Sequence, residues 1–197
     1  AEVAENLQLT DGAERVVASD IAPPPEAVAA AGPFERLDVT DIESLKAVVR
    51  KYGIDTIYHL AAILSAVGEK HPDRAWVVNM DGTRAVLEIA RLERLVRVFV
   101  PSSIAVFGPA TPRRGVPQDT ILDPRTMYGV TKVAGEHLCD YYVRKFAVDV
   151  RGCRFPGIIS HETLPGGGTT DYAVAIFYDA VRSGRYTCFL REDTRLP

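Results

Sequence analysis

Short β-branched runs alternate along this chain with amphipathic stretches of helix length, and that order limits the possible folds more than any single residue does. Strands joined through helices pair in parallel, so the expected class is α/β with a doubly wound, Rossmann-type parallel sheet. Arg15 to Ser19 (RVVAS) reads as a strand ending at Asp20. Phe34 to Asp38, Asp55 to Leu60 (DTIYHL), Val96 to Val100 and Val148 to Phe155 read as further strands. Between them, Ala1 to Leu9 reads as a helix, and Asp41 caps another through Tyr52 that Gly53 stops. Helices are also expected from Pro72 to Arg91, from Thr126 to Phe146 and from Asp171 to Arg182, with Gly184 beyond the last. Pro23 to Pro25 and the stretch ILSAVGEK, which contains Ser65, read as loops. Trp76 and the apolar stripe of its helix read as core, and Val130, Ala134, Leu138 and Tyr141 recur at helical spacing in the Thr126 helix.

Composition removes several function classes. The 197 residues carry a net charge of −3 without a block of like charge, which argues against binding a polyanion. Cys139, Cys153 and Cys188 are odd in number and far apart, so neither a disulfide framework nor a zinc knuckle is expected, and a reducing, cytoplasmic-type compartment fits. His59, His71, His137 and His161 show no metal spacing with the cysteines or with one another, so no metal site is expected. No apolar run approaches the roughly 18 residues that cross a bilayer, and no basic-then-apolar leader is present.

The chemistry centres on MYGVTK. Tyr128 and Lys132 stand four apart on a helix, so a phenol and an ammonium face one side. A free tyrosine titrates near 10, so a base at neutral pH must come down by roughly three pH units, worth about 4 kcal/mol, and a nearby cation favours the phenolate. Spacing alone is weak evidence, because Tyr141 and Lys145 match it too. The two tyrosines are 13 positions apart, about 220° around one helix at roughly 100° per residue, so they do not share a site. Upstream, the Val96 to Val100 strand delivers Ser103 to the carboxyl end of the parallel sheet, where folds of this kind bind ligands.

Ser103 in SSIAVFG, followed 25 residues later by Tyr128 and then Lys132, resembles the extended branch of the short-chain dehydrogenase/reductase family. PSSIAVFGP, TMYGVTK, RFPGIIS and above all PGGGTTDYAVAIFYDA are similar to its epimerase-like L-threonine 3-dehydrogenases. The resemblance implies NAD as cofactor and oxidation of the L-threonine 3-hydroxyl to 2-amino-3-oxobutanoate. In that scheme Ser103 polarises the hydroxyl, Tyr128 is the general base, and Lys132 lowers the tyrosine pKa and holds the nicotinamide ribose. Asp20 and Ile21 fall where the adenosine ribose is bound, and a carboxylate there repels a 2′-phosphate, which favours NAD over NADP. Asp38 and Val39 match the pair at the adenine, and Leu60, Ala61 and Ala62 the loop passing under the cofactor. Asn79, Pro101, Phe155, Pro156 and Ile158 complete the implied cofactor contacts. Ser65, Thr169 and Thr170 join Ser103 and Tyr128 as implied substrate contacts. A homodimer is implied by the same analogy. Residues 1–160 then form the NAD-binding domain and 161–197 begin a substrate lobe.

One departure is plain. The glycine turn GxxGxxG that seats a pyrophosphate on a helix N-terminus is absent, since the only glycine in the first 31 residues is Gly12. The expectation is that a strand and glycine loop of about 15 residues precede Ala1, and that most of a lobe on the order of 100 residues follows Pro197. A sugar-nucleotide epimerase or dehydratase, and a truncated NAD-binding scaffold without catalysis, stand as the alternative readings.

Overall fold

The computed structural model describes residues 2–158 and 170–194. In chain order the elements are α1 (Glu2–Asp11), β1 (Ala18–Asp20), α2 (Glu26–Ala31), β2 (Phe34–Arg36), α3 (Ile42–Tyr52), β3 (Thr56–Tyr58), α4 (Ser65–Lys70) and α5 (Pro72–Trp76). They continue with α6 (Gly82–Leu92), β4 (Arg97–Phe99), β5 (Ser102–Ser103), α7 (Met127–Phe146), β6 (Val150–Arg151), β7 (Arg154–Phe155) and α8 (Tyr172–Ser183). Every pairing among the described strands is parallel: β1 with β2, β4 with β3 and β6, and β5 with β7. The expected α/β, Rossmann-like class is what the chain forms.

The molecule divides into two compact units. The first comprises Ala1–Ala61, Asp81–Phe99 and Cys139–Arg151, the second Ala62–Met80, Val100–Leu138 and Gly152–Pro197. In the first unit α6 is the largest contributor to the core. Its Ala85, Val86, Leu87, Ile89 and Ala90 are at most 2% exposed, and α6 packs on α3, with Leu45 and Val49, and on β4, with Val98. Each large aliphatic side chain buried this way contributes roughly 1.5–3 kcal/mol. In the second unit α4 runs close to α5, so that a methyl group on Gly68 would stand 3.5 Å from the Ala75 Cβ.

That close approach corrects one expectation. Ala75 takes the buried position at 0% exposure, and Trp76, expected in the core, is 44% exposed, because only a small side chain fits between α4 and α5. The expected single helix from Pro72 is interrupted by a π-helical turn at Val77–Asp81. The stretch ILSAVGEK, expected as a loop, contains α4, and α2 follows directly on Pro25. In α7, Val130 and Tyr141 are 39% and 49% exposed, while the buried residues Thr131 and Tyr142 lie one position beyond them.

The strands are shorter than expected. A 3₁₀ turn at Ala13–Arg15 delays β1 to Ala18, and the long run to Phe155 splits into β6 and β7. The split falls between the Phe99–Arg151 and Ser102–Arg154 pairs. Pairing resumes where the Ser102 amide donates to the Cys153 carbonyl at 2.9 Å.

Helix α3 follows its sequence signals closely. The Asp41 carboxylate accepts the Ser44 amide at 3.1 Å, and Gly53 closes the helix at φ 60° and ψ 39°. The Gly53 and Ile54 amides return to the Arg50 and Val49 carbonyls, a closure that requires the left-handed backbone glycine adopts at least cost. Gly53→Ala is expected to destabilise the protein by about 1 kcal/mol, and Gly53→Asn by less, since asparagine tolerates this region. Denaturant midpoints of the two variants check this; equal midpoints for wild type and Gly53→Ala would refute it.

Candidate active site

The second unit assembles the tyrosine–lysine pair around the chain that leaves β5. After Ser103 the backbone turns through a 3₁₀ segment, Ile104–Val106, whose Ala105 amide donates to the Ser103 hydroxyl oxygen at 3.2 Å. Ser103 therefore caps a turn, and its hydroxyl comes to the Tyr128 phenol, where it favours ionisation. What brings the two together is Gly129. A Cβ there would lie 2.3 Å from the Ala105 carbonyl oxygen and 2.7 Å from the Pro124 Cβ, so α7 rests directly on the turn only because this residue has no side chain.

The start of α7 is pinned from two directions. The Thr126 hydroxyl accepts the Gly129 amide at 3.0 Å, and the Glu69 carboxylate, on α4, accepts the Met127 amide at 2.7 Å. Glu69 thus ties the helix that begins with Ser65 to the helix that begins beside Tyr128. One turn further on, the Thr131 hydroxyl donates to the Tyr128 carbonyl at 2.8 Å and accepts the Asn79 side-chain amide at 3.1 Å. Asn79 also accepts the Ile63 amide at 2.8 Å and donates to the Ile63 carbonyl at 3.1 Å, fixing the chain just after Ala62.

Lys132 places its ammonium 5.4 Å from the centroid of the Tyr128 ring and donates to the Pro101 carbonyl at 2.8 Å. Burial pushes the Tyr128 phenol above the usual tyrosine range, and the bond to Ser103 only partly opposes it. Desolvation is thus the larger of the two effects on this phenol. Tyr141, the other spacing match, is half exposed and packs edge-on against Tyr142 and Phe146.

Behind the pair lies a charge network that sequence reasoning missed. The Glu136 carboxylate accepts from the Ser102 hydroxyl at 2.5 Å and from Arg154 Nε and Nη2, each at 2.8 Å. Burial raises the Glu136 carboxyl, but the bonds from Arg154 and Ser102 outweigh it and hold the group below the usual carboxylate range. Its one sequence signal is the interval of four that places it after Tyr128 and Lys132.

Phe155 is half-buried on β7, and Pro156 and Ile158 are exposed in the turn after it. Thr170 comes to that turn, for a Cβ on Gly157 would meet the Thr170 methyl carbon at 2.4 Å. Thr169 lies outside the described residues. In the first unit, Asp20 ends β1 with its carboxylate accepting the Ala22 amide at 2.9 Å, and Arg36, opposite it on β2, donates to the Ile21 carbonyl at 3.1 Å. Asp38 accepts the Thr40 amide and hydroxyl, Val39 lies against Gly82, and Leu60 and Ala61 are exposed after the buried His59. Among the described residues no group of three or more histidine, cysteine or acidic side chains is arranged to hold a metal ion, and no helix is long and apolar enough to cross a membrane.

Tyr128 is protonated more tightly in the folded protein than in the unfolded chain. The stability its buried phenol contributes is therefore fully present below about pH 10 and is lost as pH rises through the folded value. Denaturant midpoints measured from about pH 8 to 11 should fall more steeply for wild type than for Tyr128→Phe; parallel curves would contradict the assignment.

The family model described as NAD dependent epimerase/dehydratase family matches residues 3–190. An uncharacterized epimerase/dehydratase of Staphylococcus haemolyticus (strain JCSC1435) is 54% identical over 184 residues, covering 93% of this chain and 58% of that protein. The GalE-like L-threonine dehydrogenase of Cupriavidus necator, in its holo form, superposes with a TM-score of 0.93 at 50% identity, covering 98% of this chain and 62% of that one. A structure described as a monomeric L-threonine 3-dehydrogenase from a metagenome database has a TM-score of 0.93 at 46% identity, covering 100% of this chain and 62% of that one. The homodimer implied by the resemblance therefore does not follow from the likeness. The chain spans about three fifths of the length of these relatives. It belongs to the NAD dependent epimerase/dehydratase family.

Proposed function

We propose that this chain carries the hydride-transfer site of an NAD-dependent L-threonine 3-dehydrogenase, which oxidises the 3-hydroxyl to give 2-amino-3-oxobutanoate. The observation that carries the reading is the half-buried Tyr128 phenol with the Ser103 hydroxyl beside it and the Lys132 ammonium over its ring. The likeness to solved L-threonine dehydrogenases at 46% and 50% identity supports the choice of substrate.

Asp20, exposed at the carboxyl end of a parallel strand, suits a ribose diol, with Ile21, Asp38 and Val39 towards the adenine. Leu60 leads into Ala61 and Ala62, whose small side chains leave backbone open beneath the cofactor, and Asn79 steadies the chain at Ile63. Lys132, Pro101, Phe155, Pro156 and Ile158 serve the nicotinamide end. Bound NAD supplies the hydride acceptor and a positively charged ring.

Tyr128 then takes the proton of the substrate hydroxyl while the C3 hydrogen departs as hydride. The sum is L-threonine and NAD⁺ giving the ketone, NADH and one proton. Ser103 donates to the reacting oxygen. Lys132, held by the Pro101 carbonyl, keeps positive charge beside the phenol as it ionises. Ser65, Thr169 and Thr170 bind the amino and carboxylate groups, which leaves the 3-hydroxyl facing Tyr128. Residues 1–160 hold the nucleotide and 161–197 begin the substrate lobe.

Absorbance of NADH formed from L-threonine and NAD tests the proposal. Tyr128→Phe is expected to lower kcat by about a hundredfold or more, the range for loss of a general base. Full activity in that variant would remove Tyr128 from the chemistry. Turnover of a UDP-sugar without net NADH release, with none on L-threonine, would replace the dehydrogenase by an epimerase.

A further inference from the structure

Tyr128, Lys132 and Glu136 succeed one another at intervals of four along α7 and so share one face of the helix. Ser102 and Ser103 are consecutive on β5, and consecutive strand residues point to opposite sides. Ser103 lies at the Tyr128 phenol, and Ser102 donates to Glu136. Opposite them on β7 stand Arg154, paired with Ser102, and Phe155, paired with Ser103. Both oxygens of the Glu136 carboxylate are engaged, Oε1 by Ser102 and Arg154 Nε, Oε2 by Arg154 Nη2. Arg154 is held in turn by the Gln118 carbonyl at 3.0 Å and lies 5.5 Å from the centroid of the Phe107 ring. The Arg154 and Glu136 side chains are only 15% and 25% exposed.

One carboxylate therefore grips both strands from the helix that carries the base. The strands need such a grip, because each is two residues long and the ladder between them is too short to hold its own register. An apolar contact would bind the same elements at less desolvation cost, but a bidentate arginine–carboxylate pair fixes distance and direction together. Displacing a reacting group by about 1 Å costs on the order of a hundredfold in rate.

We propose that Glu136 is a positioning residue of this site. By holding Ser102 and Arg154 from α7, it sets the Ser103 hydroxyl against the Tyr128 phenol. Its effect on turnover rests on the dehydrogenase reading above; its effect on the phenol does not.

The test follows the ionisation of Tyr128 by NMR of carbon-labelled tyrosine in the whole chain, assigned with Tyr128→Phe and confined to pH values at which circular dichroism is native. The groups at the phenol are the Ser103 hydroxyl and the Lys132 ammonium. Glu136→Ala should reduce the phenolate fraction at a given pH as much as Ser103→Ala does, and the double variant should reduce it no further, since both changes remove the same bond. Glu136→Gln, which keeps an acceptor for Ser102, should fall between wild type and Glu136→Ala. If Glu136→Ala does not fold, Ser102→Ala replaces it, because that change removes the serine arm and leaves the ion pair. An unchanged phenolate fraction in a folded variant, or additive effects in the double variant, would overturn the proposal. In turnover, Glu136→Ala should lower kcat by about tenfold or more while KM for L-threonine stays within about twofold. If no form of the protein oxidises L-threonine, the assigned reaction fails and the titration still decides the role of Glu136.

Discussion

The Pro101 carbonyl is the acceptor on which the arrangement around Tyr128 depends. Pro101 stands between the Phe99–Arg151 pair that ends the ladder of β4 with β6 and the Ser102–Arg154 pair that begins that of β5 with β7. The Pro101 carbonyl accepts the Lys132 ammonium, so the break in the ladder and the anchoring of the lysine fall at one residue. The short strands that result leave Ser102 and Ser103 to be held by side chains, through Glu136 on one side and Tyr128 on the other.

Helix α7 departs from the usual logic of an amphipathic helix. Its inner residues include Tyr128, Thr131, Lys132 and Glu136, while its apolar Val130, Tyr141 and Val143 are exposed. Burying polar groups is costly unless each finds a partner. Here each of the four does, and the partners come from other stretches of chain: Ser103, Asn79, Pro101 and Arg154. Gly129 completes this face as the position where no side chain fits, since the Ala105 carbonyl occupies the space. Polar pairing thus takes the place of apolar burial in setting how the first half of this helix is turned.

That departure explains what was legible in the sequence. Signals confined to a few neighbouring residues read correctly, as with Asp41 and Gly53 at the two ends of α3. The parallel α/β order and the grouping of Ser103, Tyr128 and Lys132 were legible too, because they rest on patterns along one strand and one helix. The turning of α7 was not, since apolar periodicity marks the inner face only where the core is apolar. Trp76 misled for a related reason: the close passage of α4 at Gly68 is a contact between helices, which periodicity within α5 does not encode. The roles of Glu69, Asn79 and Arg154 in bracing α7 escaped notice because each acts on a residue distant in sequence, with no local pattern to betray it.

The raised pKa of Tyr128 looks at first unsuited to a base, yet the same burial that raises it makes the phenol responsive to charge. Two unit charges roughly 4 Å apart interact by about 1 kcal/mol in water but by about 4 kcal/mol at an effective dielectric of about 20. The larger figure is comparable with the cost of ionising a tyrosine near neutral pH, so a cation that is weak in solvent becomes sufficient in a partly buried site. Lys132 is already tethered over the ring by Pro101, and the phenol still sits above its usual range. In the proposed chemistry the positive charge of the oxidised cofactor adds to that of Lys132 in favouring the phenolate.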